Sequence, residues 1–405
     1  MKREHMQNKK VVILGLGYIG LPTAALLANR GYQVQGVDIQ KTVVETINAG
    51  KIHIVEPDLD TFVRAAVESG NLKASLSPSE ADVFIIAVPT PFSENYTPNI
   101  DFVLAATRSI VPVIKSGDII ILESTSPVGT TEKIWNIIKE SGKEMENIFV
   151  AHCPERVLPG YIMKELIEND RIIGGINSNS SEKTREFYAT FVQGNLLITD
   201  ARTAEMAKLT ENSFRDVNIA FANELSMICA DLNINVSELI SLANHHPRVN
   251  ILKPGPGVGG HCIAVDPWFI VHSSPQHSAL IKKSREVNLT KTKWVIKKIH
   301  EEVSEFKKTE GRDPVVAIWG ITYKPDIDDM RESPSLEIAE ELHHNGLNLV
   351  VVEPNCTEAG DLNLMNIQDA IKKADISVFL VAHRQFKNII LDEKRRILDF
   401  CGIRG

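Results

Sequence analysis

Residues 11–20 read VVILGLGYIG, an apolar run that passes directly into the spacing GxGxxG. A strand, a glycine turn and the start of a helix, in this order, form the dinucleotide-binding turn of Rossmann-type domains, where the cofactor pyrophosphate sits on the helix N-terminus. Asp38 ends the next predicted strand, where a carboxylate can bind the adenosine ribose hydroxyls and repel the extra phosphate of NADP. The stretch therefore predicts an NAD site, and the alternative is a tight strand-to-helix turn without a ligand. The predicted contacts of the turn are Gly15, Gly17, Tyr18, Ile19 and Gly20.

Short apolar runs alternate with helical stretches in the first part of the chain and again from Val315 onward. This alternation is typical of a parallel sheet covered by helices on both faces. We therefore predict an α/β fold: an N-terminal Rossmann-type doubly wound domain (1–199), a central helical domain with a long helix (200–306) and a smaller, Rossmann-like C-terminal α/β domain (307–405). The predicted strands of the first domain are Val11–Leu14, Gln33–Val37, Val83–Ala87, Ile119–Leu122 and Ile148–Ala151.

The central section is predicted to begin with one long helix, Thr203–Leu232, capped by the Thr203 hydroxyl and ended by Asn233. Asn235, followed three residues later by Glu238, has the pattern of a capping box and predicts the start of another helix. The polar residues 307–313 are predicted to be a linker. The apolar stripe of the long helix is Met206, Leu209, Ile219, Leu225 and Ile228.

The composition argues against several classes of protein. A formal net charge of −8 offers no basic field for nucleic acid or an anionic membrane surface. Five cysteines without CxxC spacing are typical of a reduced, cytoplasmic protein. The uncharged stretch Val11–Ala28 is not predicted to be a membrane span or signal peptide, because glycines and a proline interrupt it and a strand follows. We expect a cytoplasmic protein whose ligands are small molecules.

Two further loops follow predicted strands at the edge where doubly wound sheets bind ligands. One contains Thr90 within VPTP, and the other contains Thr125 within ESTSPVG. We predict both threonines as cofactor contacts. The alternative, that their hydroxyls cap the following helices, is equally compatible with the sequence.

The long helix carries Lys208, Asn212 and Arg215 at spacings of four and three residues, so all three project from nearly one face. Such a row can be catalytic, or it can be an ordinary solvated face.

Residues 255–262 read GPGVGGHC, a shaped loop with exposed backbone amides that ends in a thiol. Cys262 is therefore a candidate nucleophile, and a buried structural cysteine is the alternative. A zinc site formed by His152, Cys153, His261 and Cys262 is a weaker interpretation, because adjacent residues rarely ligate the same ion. The charged segment 320–334 is either a functional loop or a plain connection.

Taken in order, six motifs resemble the UDP-glucose/GDP-mannose dehydrogenase family from Val11 to about Ile403. The stretches PERVLPG (154–160), LTENSFRD (209–216) and HCIAVDPW (261–268) are most similar to the members that act on UDP-N-acetyl-D-mannosamine and serve enterobacterial common antigen or capsule synthesis. The resemblance implies an NAD-dependent oxidation of the sugar 6-hydroxyl to a carboxylate, with two NAD⁺ consumed. It also implies a homodimer formed through the long helix.

The resemblance assigns a chemical role to each catalytic residue type. Lys208, with Asn212 holding a water, falls at the family's acid/base position. Cys262 would attack the aldehyde to give a thiohemiacetal and then a thioester, and a nearby cation such as Lys208 would favour its thiolate. Asp266 falls at the family's aspartate, an orienting partner.

The resemblance also implies binding residues. Arg331 is the implied further cofactor contact. Pro159 stands where glucose-oxidising members carry a second glutamate, which leaves the base for hydrolysis open and favours an N-acetylated sugar. The implied substrate contacts are Glu155, Arg156, Val157, Lys208, Asn212, Arg215, His246, Arg248, Gly259, Tyr323 and Lys324.

Other functions stay open at this point. UDP-N-acetylglucosamine and UDP-glucose are alternative substrates, since a few contacts decide the configuration and the 2-substituent. A two-electron dehydrogenase of the 6-phosphogluconate or 3-hydroxyisobutyrate type would need neither the cysteine nor a third domain. A non-catalytic NAD-binding sensor would have no reason to keep Lys208, Asn212 and Cys262 together.

Overall fold

The computed structural model describes residues 9–93, 96–260, 262–392 and 395–404. The chain forms two units, each with its own internal contacts. The first unit comprises Met1–Thr210 and Trp268–Ser273, and the second comprises Glu211–Pro267 and Ser274–Gly405. The predicted division at residues 199/200 and 306/307 stays a prediction.

The first unit contains an eight-stranded sheet in the order β10-β9-β8-β7-β4-β1-β2-β3 and a short hairpin, β5-β6. All pairings of the large sheet are parallel except that of β8 with β9. The five predicted strands are confirmed with ends within one residue, whereas β3, β9 and β10 were not predicted. The strands are β1 (Lys10–Leu14), β2 (Gln33–Val37), β3 (Leu72–Ser75), β4 (Val83–Ile86), β5 (Phe92–Ser93), β6 (Thr97–Pro98), β7 (Ile119–Leu122), β8 (Phe149–His152), β9 (Arg171–Gly175) and β10 (Leu196–Asp200).

Both faces of this sheet are buried, because alternate residues of its central strands enter two different apolar cores. Ile13, Ile85 and Ile121 face one core, and Leu14 and Phe84 face the other. This confirms the predicted doubly wound arrangement. The covering helices are α1 (Gly20–Asn29), α2 (Lys41–Asn48), α3 (Leu59–Glu68), α4 (Asp101–Ile110), α5 (Thr130–Glu140), α6 (Ile162–Glu168) and α7 (Ser178–Tyr188).

The predicted long helix is α8 (Ala201–Asp231), and its cap differs from the prediction. The Asp200 carboxylate accepts both the backbone N–H (2.9 Å) and the hydroxyl (2.6 Å) of Thr203, so the helix begins two residues earlier than expected. Asn233 does follow its end, with a φ of 54°. The predicted capping by Asn235 is confirmed, because its side chain accepts the Ser237 and Glu238 N–H groups at the start of α9 (Val236–Ala243).

The predicted linker was wrong for its first half. Two helices follow α9, namely α10 (Asp266–Ser273) and α11 (Ala279–Glu310), and residues 307–310 form the last turn of α11. The helix ends at Gly311, whose φ of 69° lets its N–H bond the Lys307 carbonyl at 3.0 Å.

A second parallel sheet, in the order β12-β11-β13-β14, lies in the second unit and confirms the predicted C-terminal α/β region. Among the described residues, no helix has the length and apolar character needed to cross a membrane. The elements of this region are β11 (Val316–Trp319), α12 (Pro334–His344), β12 (Leu349–Val352), α13 (Ile367–Lys373), β13 (Ile376–Phe379) and β14 (Arg396–Asp399).

Candidate active site

The turn between β1 and α1 has the geometry that a dinucleotide needs. Gly15 has a φ of 89°, and a Cβ atom there would lie 2.6 Å from the Ala87 carbonyl oxygen, so only glycine fits. A Cβ atom on Gly17 would meet no described atom within 4 Å, which leaves an open approach to the backbone. Tyr18 and Ile19 complete the turn, and α1 begins at Gly20, so the positive end of its helix dipole lies at this edge.

Asp38 lies directly after β2, and its carboxylate faces the same turn. One oxygen accepts the Leu16 N–H at 3.1 Å and the other accepts the Gln40 N–H at 2.9 Å. A carboxylate offers about four lone-pair positions, so acceptor capacity remains for ribose hydroxyls. The open face at Gly17 and the carboxylate of Asp38 together fit NAD.

The loops that contain Thr90 and Thr125 meet beside this turn, at the reversal of strand order between β1 and β4. The Thr90 hydroxyl donates to the Thr125 carbonyl oxygen at 2.5 Å. Ser124 donates its hydroxyl to the Val88 carbonyl oxygen at 2.7 Å and ties the two loops a second time. The Thr90 hydroxyl therefore holds a loop rather than a helix N-terminus.

The N-terminus of α5 is capped by Glu205 of α8, a role that the sequence did not reveal. Its carboxylate accepts the Gly129 N–H (2.6 Å), the Thr131 N–H (2.7 Å) and the Thr131 hydroxyl (2.6 Å). Burial raises the pKa of Glu205. Because Glu205 precedes Lys208 by three residues on α8, the same helical face carries the cap and the predicted base.

His152, at the end of β8, is fully buried. Burial lowers the pKa of its imidazole to about 3, and the positive charge of Lys208 acts in the same direction. A buried, neutral ring therefore lies within the electrostatic reach of Lys208.

Loop Pro154–Gly160 follows β8 and carries three of the predicted substrate contacts. Glu155 is only 7% exposed, and its carboxylate lies 2.6 Å from the guanidinium of Arg171. Its other oxygen accepts the Arg156 N–H at 2.7 Å. The buried Glu123 also approaches Arg171, at 3.8 Å, and burial raises its pKa despite that cation. The structure thus gives Glu155 an interior partner, and its contact with substrate stays a prediction.

The rest of this loop is fixed through its backbone. The Leu158 N–H donates to Glu165 at 2.7 Å. Glu56, which comes from the chain before α3, accepts the Gly160 and Ile162 N–H groups, both at 2.8 Å. Val157 packs on the apolar core of the first unit. The loop backbone is therefore held by carboxylates on both sides of Pro159.

In the second unit, Asn212 and Asp266 are brought together. The Asn212 side-chain amide donates to the Asp266 carboxylate at 2.5 Å, and both residues are buried. The carbonyl oxygen of Cys262 accepts the Val265 and Asp266 N–H groups at 3.0 and 2.9 Å, which turns the chain into α10. Cys262 itself is exposed, so the buried structural cysteine is excluded.

The zinc interpretation has no support within the described residues, where no group of three or more His, Cys, Asp and Glu side chains could hold a metal ion. His152 and Cys153 are both buried, and His261 lies outside the described residues.

Residues 255–260, which precede Cys262 and are called the glycine loop below, pack tightly on the loop after β11. Gly260 has a φ of 82°, and a Cβ atom on it would lie 2.9 Å from the ring of Tyr323. A Cβ atom on Gly259 would clash with the Glu332 carbonyl oxygen and the Pro334 ring. Two predicted substrate contacts, Gly259 and Tyr323, are therefore neighbours.

The loop after β11 is held in place by His383. Its Nδ1 accepts the Asp326 N–H at 2.9 Å, so the ring proton is on Nε2 and donates to Glu353 at 3.0 Å. The Thr322 hydroxyl donates to the Lys324 carbonyl oxygen at 3.0 Å. Arg331, the predicted cofactor contact, forms a two-point ion pair with Asp329 at 2.9 and 2.7 Å.

The remaining predicted contacts are Arg215 on α8 and His246 and Arg248 in the segment after α9. All three are exposed, and the Arg248 N–H bonds the His246 ring at 3.3 Å. The described contacts do not join them to the glycine loop.

The chain matches three family models in sequence order. They describe the NAD binding domain, the central domain and the UDP binding domain of the UDP-glucose/GDP-mannose dehydrogenase family, over residues 9–192, 202–290 and 317–403.

Proteins similar to this chain match it over nearly its whole length. A UDP-N-acetyl-D-mannosamine dehydrogenase of Escherichia coli is 54% identical, covering 98% of this chain and 100% of that protein. An NDP-N-acetyl-D-galactosaminuronic acid dehydrogenase of Ralstonia nicotianae is 51% identical, covering 98% and 96%. The solved structure of a UDP-D-ManNAc dehydrogenase from Pyrococcus horikoshii superimposes with a TM-score of 0.89 at 36% identity, covering 98% and 96%.

Proposed function

Because the chain belongs to the UDP-glucose/GDP-mannose dehydrogenase family of NAD-dependent enzymes, we propose that it oxidises the 6-hydroxyl of UDP-N-acetyl-D-mannosamine to a carboxylate. The proposal includes a four-electron reaction with two NAD⁺ consumed. The observation that carries it is the presence, in one chain, of an NAD turn and an exposed thiol that follows a closely packed glycine loop. A two-electron dehydrogenase needs only the first of these.

Each residue has a chemical task in this proposal. Gly15–Gly20 and Asp38 would hold NAD⁺, which would supply the hydride acceptor for each oxidation. Lys208 takes the proton of the 6-hydroxyl in the first oxidation, and Asn212 orders a water. The Asn212 and Asp266 bond supports this, because it fixes the side-chain amide beside the turn that follows Cys262.

Cys262 then acts on the aldehyde. Its thiolate adds to the carbonyl carbon and gives a thiohemiacetal, whose oxidation leaves a thioester. Water cleaves the thioester, which releases the uronate and restores the thiol. The base for this last step stays open, because Pro159 replaces one carboxylate and Arg171 pairs with another, Glu155.

The substrate is the finer part of the proposal. Relatives at similar identity are named for N-acetyl-D-mannosamine and for N-acetyl-D-galactosaminuronic acid, so an N-acetylgalactosamine nucleotide is the second candidate. UDP-N-acetylglucosamine and UDP-glucose complete the set to be compared. The product is proposed to serve surface polysaccharide synthesis, enterobacterial common antigen or capsule, and cysteines that form no disulfide in the described structure fit a cytoplasmic location.

The decisive measurement is the NADH released per mole of limiting sugar nucleotide, with each of the four substrates. Two NADH from UDP-N-acetyl-D-mannosamine alone would support both the substrate and the four-electron route. One NADH per sugar would leave an aldehyde or ketone as the product and remove Cys262 from its role.

Replacement of the nucleophile tests the covalent step. Cys262→Ser is expected to lower the rate of acid formation by at least about a hundredfold, because the alcohol is a much weaker nucleophile near neutral pH. Acid formation at the wild-type rate would exclude the thioester. Cys229→Ser, which changes a buried cysteine of α8, is the matched control and should remain active.

A further inference from the structure

A line of buried polar side chains joins α8 to α11 in the second unit. Helix contacts are usually apolar, whereas every residue of this line is polar or charged and at most 8% exposed. We refer to it as the polar seam. Its residues are Asp216, Asn223 and Ser226 on α8 and Arg285, Asn288, Lys291 and Thr292 on α11.

The hydrogen bonds of the polar seam form a continuous chain that connects Asp216 to the glycine loop. Arg285 and the Asn288 amide both donate to Asp216, at 2.7 and 2.8 Å. The Asn223 amide donates to the Asn288 side-chain oxygen at 2.9 Å. These bonds fix the orientation of the Asn223 side chain, whose oxygen accepts the Gly255 N–H at 2.9 Å.

A second contact fixes the next two residues of the loop. The Thr292 hydroxyl donates to the Pro256 carbonyl oxygen at 3.1 Å. A Cβ atom on Gly257 would lie 2.5 Å from that hydroxyl and 2.9 Å from the side chain of Pro334. Residues 255–257 therefore rest on the polar seam, just as Gly259 and Gly260 rest on Tyr323 and the segment before α12.

We propose that Asn223 and Thr292 are positioning residues for Cys262. A loop with so many glycines has a large conformational entropy to lose, and nucleophilic attack tolerates little misplacement. The polar seam contacts residues 255–257 at the start of the loop, and Tyr323 contacts Gly259 and Gly260 near its end. These contacts define the position of the Cys262 thiol at the end of the loop. This inference rests on the proposed role of Cys262 as the nucleophile.

The test compares Thr292→Val, which removes the hydroxyl at nearly constant volume, with Thr292→Ser, which keeps it. Asn223→Ala removes the acceptor of the Gly255 N–H. Thr290→Val is the matched control, because Thr290 lies on the same helix, is exposed and donates its hydroxyl to the Glu286 carbonyl oxygen of that helix. Amide hydrogen exchange of the peptide that spans residues 255–262 is measured without substrate, beside kcat, the KM for NAD⁺ and the aldehyde trapped during turnover.

Thr292→Val and Asn223→Ala are expected to speed exchange in this peptide by about tenfold or more, because each removes one hydrogen bond that protects the loop from opening. They should lower kcat by about tenfold and release trappable aldehyde, with an unchanged KM for NAD⁺, because the first unit holds the cofactor turn. Thr292→Ser and Thr290→Val should match the wild type in all four measurements.

Folded Thr292→Val protein with wild-type exchange and wild-type kcat would overturn the proposal, even if Asn223→Ala failed to fold. Faster exchange with unchanged kcat and no aldehyde release would also overturn it, since the loop would then need no positioning. If the wild type oxidised none of the sugar nucleotides, the proposed function would fall, whereas the exchange comparison would still decide whether the polar seam holds the loop.

Discussion

Lys291 is a buried lysine without a carboxylate beside it in its described contacts. Its ammonium donates to the Ser226 hydroxyl at 2.7 Å and lies 4.0 Å from the centre of the Trp294 ring. Burial lowers its pKa to about 7, because the charged form loses its hydration. The residue therefore changes its charge near neutral pH, inside the seam on which the glycine loop rests.

The pH dependence of stability follows from this lowered pKa. Between pH 7 and the ordinary lysine value of 10.5, the unfolded chain keeps a proton on Lys291 that the folded chain has released. Stability rises with pH wherever the unfolded state binds more protons. We expect Lys291→Met to remove about 2 kcal/mol of the rise in unfolding free energy between pH 7 and pH 9.

Urea unfolding of the wild type and Lys291→Met at pH 6, 7, 8 and 9 measures this difference. Lys297→Met, which changes an exposed lysine of the same helix, should leave the pH profile unchanged. A stability difference between wild type and Lys291→Met that stays constant from pH 6 to pH 9 would contradict the lowered pKa.

At the residue scale, the sequence indicates the residues that would contact the ligand more readily than the residues that hold the loops of the site in place. Gly15, Gly17 and Asp38 are predictable because their spacing is local and the motif has one chemical use. Glu205 and Glu56 act on backbone N–H groups 74 to 106 residues away in the chain, and no local pattern marks such a pairing. The distant carboxylates become visible only when the fold brings the segments together.

At the scale of elements, α5 depends on α8 for its first turn. The helix starts after Gly129 without a side-chain cap of its own, and Glu205 accepts its first N–H groups. Removal of Glu205 leaves several buried donors without an acceptor. The loop that ends in α5 also contains Thr125, so the cap links α8 to the cofactor edge.

We expect Glu205→Ala to lower the free energy of unfolding by about 3 kcal/mol and Glu205→Gln by less, because the amide keeps one acceptor oxygen. The KM for NAD⁺ should rise with the loss of the cap. Urea unfolding and steady-state kinetics measure the two effects. Glu224→Ala, at an exposed position of α8, should cost less than about 0.5 kcal/mol; an equal loss at both positions would contradict the capping role.

The elements that the sequence misassigned or did not predict each have a physical reason. Residues 307–310 look like a linker because they are polar, yet they are the exposed end of α11, where polarity carries no information about structure. Strand β9 contains Gly174 and Gly175, which weaken the sequence pattern of a strand. Glycine is needed at both positions because α8 and α7 occupy the space that a side chain would fill. Helix α8 is capped by Asp200 rather than by Thr203, because both residue types are good caps and packing decides between them.

At the scale of the whole molecule, α8 leaves part of its predicted apolar stripe uncovered. Of the predicted stripe, Leu209 is buried, whereas Met206 and Ile228 are 39% and 47% exposed. Phe214 and Phe221 are 68% and 52% exposed, and seven-residue spacing places them with Ile228 on one face. An uncovered aromatic face of this kind is consistent with the predicted homodimer through α8, which we propose here.

Phe221→Glu is expected to convert the dimer to a monomer, because a carboxylate in an apolar interface loses its hydration. Sedimentation equilibrium at micromolar concentration measures the mass. Leu280→Glu, at a 69% exposed apolar residue of α11, is the control and should sediment as the wild type does. A wild type that sediments as a monomer would contradict the predicted homodimer.

The chain forms the turn of Gly15 a second time after β11, with a different capacity for ligands. Gly320 has a φ of 88° and bonds the Val352 carbonyl oxygen, as Gly15 bonds Val37, and Glu353 accepts the Ile321 N–H where Asp38 accepts that of Leu16. Glu353, however, also receives His383 and two donors of Asn355, so all of its acceptor valences are filled from within. Two copies of one backbone pattern thus differ in valence: one is left unsaturated for a ribose, and the other is saturated by its own fold. Equilibrium dialysis should find one NAD bound per chain at saturation. A second bound NAD would mean that the ligand displaces His383 from Glu353.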